Sequence, residues 1–395
     1  MNPENGNEPR IDERAAAVVA LVRCDSYDAA DVEPAVRRGI ELLGGIDRFV
    51  SPGESILLKP NLLVPRDPAR AVTTHPAVFR AVARRFIDAA AAVTYGDSPG
   101  FGQPAFVARR AGLTPMAEEL GLDAADFTRG RAIPFPQGRL IKRFTIAEGA
   151  AAADGIVSLP KLKTHGLTRI TGAIKNQYGC IPGALKAEFH ARLPDVDRFS
   201  QMLVDLNRLL RPRLYVMDGI VAMEGNGPQN GSPRSLNVLL FSDDPVALDA
   251  TVCDIIGLDR RLVLPIVHGS AAGLGRAIGV EIVGEPVASF IVSDFDVNRR
   301  PASTTGKPGR YSRLARRFIV PRPVVRPERC TRCGTCVEVC PVEPKAIRFP
   351  GEDRSRPPVH RYDACIRCYC CQEMCPEGAI ELDVPFLGRA IHRRA

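Results

Sequence analysis

The chain has 395 residues, a formal net charge of +8 and twelve cysteines, and at about 150 residues per domain it has room for two or three domains. No stretch approaches the ~20 uninterrupted apolar residues of a membrane span, and Met1 to Arg14 is polar and charged rather than basic and then apolar, so a cytoplasmic protein is expected. The charge itself is local. Between Arg299 and Arg329 ten Lys or Arg face one acid, Glu328, a balance of +9 that leaves −1 for everything else.

In chain order, short β-branched runs alternate with helical patterns: Ala17 to Arg23 then Val32 to Leu43, Ser55 to Lys59 then Pro76 to Ala90, Val93 to Tyr95 then a helix near Ala105. Further strands are expected at Gly155 to Leu159, Leu214 to Met217, Leu236 to Phe241 and Ala288 to Val292. Further helices are expected at Val196 to Leu210, Pro245 to Ile256 and Leu262 to Ala272. This alternation predicts an α/β domain over residues 1–298, with a largely parallel sheet flanked by helices.

Ligands of such sheets gather at the carboxyl ends of the strands. The polar motifs of this chain fall there: Lys59-Pro60-Asn61, Gly96-Asp97-Ser98-Pro99-Gly100, Lys161-Leu162-Lys163-Thr164-His165 and Asp218-Gly219. Neither G-x-G-x-x-G after a strand nor G-x-x-x-x-G-K-[ST] occurs, so a Rossmann dinucleotide site and a P-loop have no support.

Residues 55 to 250 resemble the domain of unknown function 362 family through LLKPNLL, TTHP, GDSPG, LPKLKTH, TGAIKNQYG, DGIVAMEGNGPQNG and DPVALDA. The resemblance implies a fusion to a ferredoxin-like tail, but the family's name carries no chemistry. The side chains therefore have to be read physically. Lys161 and Lys163 alternate on an extended segment and would point the same way. With Lys59, Asn61, Lys175 and Asn176 they would bind a phosphate or carboxylate group, and Lys186 and His190 lie in the same stretch.

Asp97, Asp218 and Glu224 are the acids expected beside them, and His75, His165 and Asp97 the candidates for moving protons. For the aspartates a turn cap is an equal reading. Gly96 to Gly102 and Gly225 to Gly231 are expected as loops whose N–H groups cradle an anion. His190 is a weaker candidate, and His268, His360 and His392 are expected to be structural or surface groups. Asp249 is expected within a helix, in a structural contact or at the site.

Residues 299–326, rich in Pro and Arg, read as a basic linker with room for a short helix from Tyr311 to Phe318. Too few aromatic residues are interleaved for a single-strand binding platform, so nucleic acid is not expected as a partner.

Nine of the twelve cysteines fall from Cys330 onward, while Cys24, Cys180 and Cys253 are isolated and expected to be buried apolar side chains. Cys330-x2-Cys333-x2-Cys336-x3-Cys340-Pro341 and Cys365-x2-Cys368-x2-Cys371-x3-Cys375-Pro376 both match the two-cluster bacterial ferredoxin run. In that pattern the fourth cysteine of each run serves the other cluster. Cys330, Cys333, Cys336 and Cys375 would hold one [4Fe-4S] cluster, and Cys365, Cys368, Cys371 and Cys340 the other. Tetrahedral zinc also uses C-x2-C, but it does not need a third cysteine at x2 and a fourth at x3 before proline, twice over. Cys370 is the spare thiol.

Residues 327–395 are thus expected to form a small α+β two-cluster ferredoxin-like domain. The whole reads as an iron-sulfur oxidoreductase that takes single electrons from a donor protein and passes them to an anionic small molecule in the α/β domain, with room for a one-electron organic cofactor such as a flavin. The alternatives are a non-catalytic electron carrier or assembly factor that recognises a protein partner, and a redox-sensing regulator acting through the basic strip.

Overall fold

A computed structural model describes residues 17–300 and 320–385; most of the basic linker, including the helix expected from Tyr311 to Phe318, lies outside the described residues. Strands run in chain order as β1 (Val18–Arg23), β2 (Ser55–Pro60), β3 (Ala92–Tyr95), β4 (Asp123–Ala124), β5 (Gly130–Pro134), β6 (Arg143–Ala147), β7 (Gly155–Leu159), β8 (Lys161–His165), β9 (Arg169–Thr171), β10 (Leu214–Glu224), β11 (Ser232–Ser242) and β12 (Glu281–Gly284). Except for the β5–β6 hairpin they form one sheet, ordered β12-β1-β11-β10-β7-β2-β3-β4, with β8 and β9 branching from β10. Within the main path only β11 runs against its neighbours. The fold is α/β with a largely parallel sheet, as the alternation predicts.

The sequence encodes the two faces of this sheet through a period of two. Val19, Leu21, Leu57, Tyr215 and Met217 enter one apolar core, while Ala20, Val22, Ile56, Leu58, Leu214 and Val216 enter the other. Both faces are covered, which is why these strands read as continuous apolar runs. Helices Ala29–Leu42 and Pro76–Asp88 supply one core, and Val196–Leu210 and Pro245–Ile255 the other. Phe79 and Phe86 are fully buried from Pro76–Asp88, each worth roughly 1.5–3 kcal/mol. DPVALDA opens the helix Pro245–Ile255: Asp244 accepts from the N–H groups of Val246 and Ala247, and Pro245 takes the first turn, where no donor is missed.

Three expectations need correction. Ala288 to Val292 is not a strand. Val287–Phe290 is a 3-10 turn after Pro286, and the edge strand is the half-exposed Glu281–Gly284, too short and too weakly apolar to stand out. The strand expected to end at Met217 continues to Glu224 through an irregularity between Gly219 and Val221, so Asp218-Gly219 lies mid-strand. Lys161 to His165 is likewise not a strand end but a strand of its own, β8, paired with β10 and β9.

The C-terminal module contains β13 (Arg322–Val325) paired antiparallel with β16 (Ile380–Asp383), and β14 (Ile347–Arg348) paired with β15 (Val359–His360). Its two short helices, Thr335–Glu338 and Cys370–Glu373, carry Cys336 and Cys371, the third cysteine of each run. The pairing of Arg322–Val325 with β16 brings four residues first allotted to the linker into this module's sheet.

Asp249 sits in the helix Pro245–Ile255 and accepts from the N–H groups of Ala173 and Ile174 at 2.6 and 3.2 Å. It thereby fixes the turn that carries Lys175 and Asn176. Asp249→Ala leaves both donors buried and unmet, at about 1–3 kcal/mol each. A clear fall in the thermal midpoint with retained iron is expected, with partial recovery in Asp249→Asn; an unchanged midpoint would show that this contact does not hold the turn.

Candidate functional site

The carboxyl ends of β2 and β3 meet β8 and the segment that follows β9 against the helix Cys370–Glu373. Between them lies a cavity of about 330 Å³, lined by Lys59, Asn61, Asp97, Lys163, Lys175, Asn176, Lys186 and His190 from the α/β domain and by Cys370, Glu373 and Met374 from the cysteine-rich module. Four lysines at one buried place require explicit partners.

Lys59 Nζ pairs with Asp97 at 2.8 Å, both side chains essentially fully buried, and donates to Asn176 Oδ1 at 3.2 Å. Gly179 is required here, because a Cβ at that position would fall 1.8 Å from Asp97 Oδ1. Lys163 Nζ donates to Asn61 Oδ1 at 2.7 Å and to the carbonyl of Val72. Burial, with Lys175 and Lys161 nearby, pushes its pKa well below the usual lysine value. Lys186 Nζ donates to Ser98 Oγ and to the carbonyl of Ile181, and burial lowers its pKa to about 8.

Lys175 differs from these three. Among the described residues its ammonium has neither a hydrogen bond nor an ion pair; it faces the cavity, 6.0 Å from the centre of the Tyr178 ring. Burial lowers its pKa, against the pull of Glu373.

His165 Nε2 lies 3.0 Å from Glu373 Oε1, a contact that crosses between the two modules. His165 Nδ1 accepts from the N–H groups of Leu167 and Thr168, which leaves the proton on Nε2, facing the carboxylate. Burial lowers the imidazole pKa more than Glu373 raises it. Burial works to raise the Glu373 carboxyl, but His165, Lys175 and His190 outweigh it and hold it at about 2. The pair is a neutral imidazole beside a carboxylate. His190, its pKa lowered to about 4 by burial, stacks on Phe199 at 4.6 Å and lines the cavity.

Other expected site residues lie elsewhere. Lys161 and Lys163 reach different partners: Lys161 Nζ meets Asp218 at 2.7 Å and the Tyr27 hydroxyl at 2.8 Å, and the register of β8 on β10 shifts between the two lysines. His75 belongs to this second cluster. Its ring stacks on Tyr27 at 3.5 Å, its N–H donates to Asp218, and its Nδ1 accepts from Ala77 to cap the helix Pro76–Asp88. Burial takes the His75 pKa down to about 4. Glu224 accepts from the Asp296 N–H and lies 3.8 Å from Arg234, outside the cavity.

The loop from Gly225 to Gly231 grips the cysteine-rich module instead of lining an anion cradle. Gln229 and Asn230 both donate to the carbonyl of Cys375, and Gln372 donates to Asn226 and to the carbonyl of Gly227. The cavity-lining groups missed in the sequence are Glu373, Ser98 and Tyr178. Ser98 stands in a motif that was read, whereas Glu373 looks like any acid on a short helix.

The cysteines divide as the ferredoxin spacing implies. Cys330, Cys333, Cys336 and Cys375 line one small cavity, and Cys336 feels Cys375, Cys333 and Cys330 electrostatically. Cys371 feels Cys368 and Cys365, then Cys336 of the other run and Cys340, and Cys365 feels Cys368 and Cys340. Two sets of four thiols, each drawing its fourth member from the other run, fit the iron-sulfur donor pattern. The Ala379 N–H donates to Cys375 Sγ at 3.3 Å, and His360 Nε2, expected to be a structural or surface group, lies 3.5 Å from Cys371 Sγ. Cys24, Cys180 and Cys253 are buried.

The fold and these thiol sets define an iron-sulfur protein built from an α/β domain and a [4Fe-4S] ferredoxin domain. The chain belongs to the family described as Domain of unknown function (DUF362), whose pattern matches residues 56–254, and residues 322–376 match a 4Fe-4S dicluster domain. It is 39% identical over 257 residues, 65% of this chain and 79% of the relative, to the thylakoid-associated protein sll1697 of Synechocystis sp..

Among solved structures it is similar to the lactate racemase apoprotein of Thermoanaerobacterium thermosaccharolyticum, at 13% identity and a TM-score of 0.39 over 62% of this chain and 58% of that one. A Thermotoga maritima protein aligns at 12% identity and a TM-score of 0.33 over 57% of each chain. This chain therefore spans less than two thirds of either structure. No helix among the described residues is long and apolar enough to cross a membrane.

Lys186 gives the cavity a pH signature. Its ammonium attracts an anion below its pKa of about 8 and loses that charge above it. Sulfate, which stays fully ionised across the range, should bind more weakly as pH rises from 7 to 9. Lys186→Met should bind more weakly at pH 7 and show a flatter pH profile by calorimetry; an unchanged profile would remove Lys186 from the anion site.

Proposed function

We propose that this protein is an oxidoreductase in which two [4Fe-4S] clusters carry single electrons to an anionic small molecule held in the cavity between the modules. The observation that carries this reading is the double lining of that cavity: Lys175, whose ammonium has no ion pair among the described residues, on one wall and the helix that bears Cys371 on the other. A volume of about 330 Å³ suits a small molecule. Free thiols destined for iron favour a reducing compartment, and a cytoplasmic location follows from the same argument.

When bound, the clusters supply electrons one at a time. The side chains supply the rest. Lys175 neutralises a phosphate or carboxylate group, with Lys163 and Lys186 as further donors already held in place by Asn61 and Ser98. Asn61 and Asn176 fix each other through a 3.0 Å hydrogen bond and set the floor of the site. Asp97 balances Lys59, and the His165 and Glu373 pair stands at the module boundary as the route for a proton. A two-electron acceptor would take two electrons and two protons, and must tolerate a half-reduced state between the two deliveries. Lys161, Asp218 and His75 support the wall from behind, while Glu224 steadies the segment that leads into the gripping loop.

Anaerobic purification tests both halves. About eight iron atoms and eight sulfides per chain follow from two clusters, together with an anionic small molecule released on denaturation. Lys175→Met should keep the iron and lose the molecule. Zinc in place of iron would refute the cluster reading, and equal retention of the molecule by Lys175→Met would refute the anion site.

A further inference from the structure

The two thiol sets are not equally placed. Val339 and Cys370, neighbours of Cys340 and Cys371, line the cavity, against Met374 alone beside Cys375, and Cys368 and Cys370 act electrostatically on the cavity-lining Tyr178, so the set Cys340, Cys365, Cys368 and Cys371 is the inner one. The other set contains Cys333, the one exposed cysteine of the twelve. Beside that outer set an open groove of about 450 Å³ runs along the junction of the two modules. It shares Pro376 and Glu377 with the small cavity of the outer thiols.

The groove carries arginines from both modules. Arg66, Arg70 and Arg110 come from the α/β domain and Arg329 from the cysteine-rich module. Two of them are already committed: Arg66 donates to the carbonyl of Pro376, and Arg329 pairs with Glu381. Arg70 and Arg110 are exposed and have no side-chain partner among the described residues. The acids lining the groove are Asp67, which caps Ala69, Glu377, and Glu381, which is already taken by Arg329 and Arg326. Arg332 flanks Cys333 on the same side, its guanidinium tied to the carbonyl of Ser355.

We propose that this arginine groove is the docking surface for a small acidic electron-carrier protein, which exchanges electrons with the outer cluster. The partner's carboxylates match Arg70 and Arg110, and docking there brings its redox centre against the exposed Cys333 edge. In each encounter the reduced carrier would lose one electron to the group that Cys330, Cys333, Cys336 and Cys375 would hold, and the group that Cys340, Cys365, Cys368 and Cys371 would hold lies between it and the cavity. The proposal rests on the oxidoreductase reading for the onward step alone, since docking and cluster reduction need no substrate.

The test uses the full, cluster-loaded chain and a reduced acidic [2Fe-2S] ferredoxin as the probe. Affinity is read by thermophoresis and cluster reduction by stopped-flow absorbance, each from 0.05 to 0.5 M salt. For the native chain both should weaken steeply with salt. In the doubly substituted Arg70→Glu, Arg110→Glu chain affinity should fall at least tenfold at low salt. Reduction by dithionite and sulfate binding in the cavity should stay unchanged.

Equal affinity and salt dependence in the two proteins would overturn the proposal. So would binding to phosphatidylglycerol vesicles without binding to the ferredoxin, which would make the groove a membrane-facing surface. Loss of sulfate binding in the Lys175 variant with normal ferredoxin reduction, or the reverse, separates failure of the cavity reading from failure of this one.

Discussion

The burial of ammonium groups is the constraint on which the rest of this structure depends. An ionised lysine taken out of water costs several kcal/mol unless it gains a partner, and Lys59, Lys161 and Lys163 are each about 1% exposed or less. The fold answers with a separate solution for each: a carboxylate for Lys59, a carboxylate and a phenol for Lys161, a side-chain amide and a carbonyl for Lys163. Those partners come from β10 and from the loops after β1, β2 and β3, so the lysines fix how the carboxyl edge of the sheet closes. Lys175 is left over, and its charge is directed into open space that a ligand can fill.

The same edge is where the cysteine-rich module seats. Its helix Cys370–Glu373 places a thiolate ligand of a cluster, a spare thiol and a carboxylate within one turn. Because Glu373 meets His165 and Gln372 meets the loop at Asn226, the helix is pinned from both sides. The paired bonds from Gln229 and Asn230 to the Cys375 carbonyl extend the grip to a ligand of the outer set. Met374 completes the seam by packing with Val64, Val72 and Met223. Together these contacts set the cysteine-bearing helix against the wall of the cavity.

Much of this was legible in the sequence, and for identifiable reasons. Alternating burial made β1, β2, β7 and β10 visible as apolar runs, and Asp244-Pro245 marked its helix through cap chemistry. The cysteine spacing marked the iron-sulfur domain. What the sequence could not carry was the choice of partner. Lys161 and Lys163 have the spacing of neighbours on one face, yet the register on β10 shifts between them and they reach different partners. His75 looked like a proton carrier and is a helix cap. Glu373 was invisible because its role comes from contact with residues some two hundred positions earlier in the chain.

The glycine loop DGIVAMEGNGPQNG illustrates how a motif can mislead by its composition. Glycines and short polar side chains suit an anion cradle, but they suit close backbone approach equally well. A Cβ at Gly227 would fall 2.3 Å from the Thr164 carbonyl oxygen, so the loop lies flat on β8. Thr164 in turn donates its hydroxyl to the Gly225 carbonyl and receives the Gly227 N–H. With its own backbone engaged there, the loop presents the side chains of Asn226, Gln229 and Asn230 outward, toward the cysteine-rich module. A motif within the α/β domain thus encodes attachment to another domain, through amides that meet the Cys375 carbonyl and Gln372.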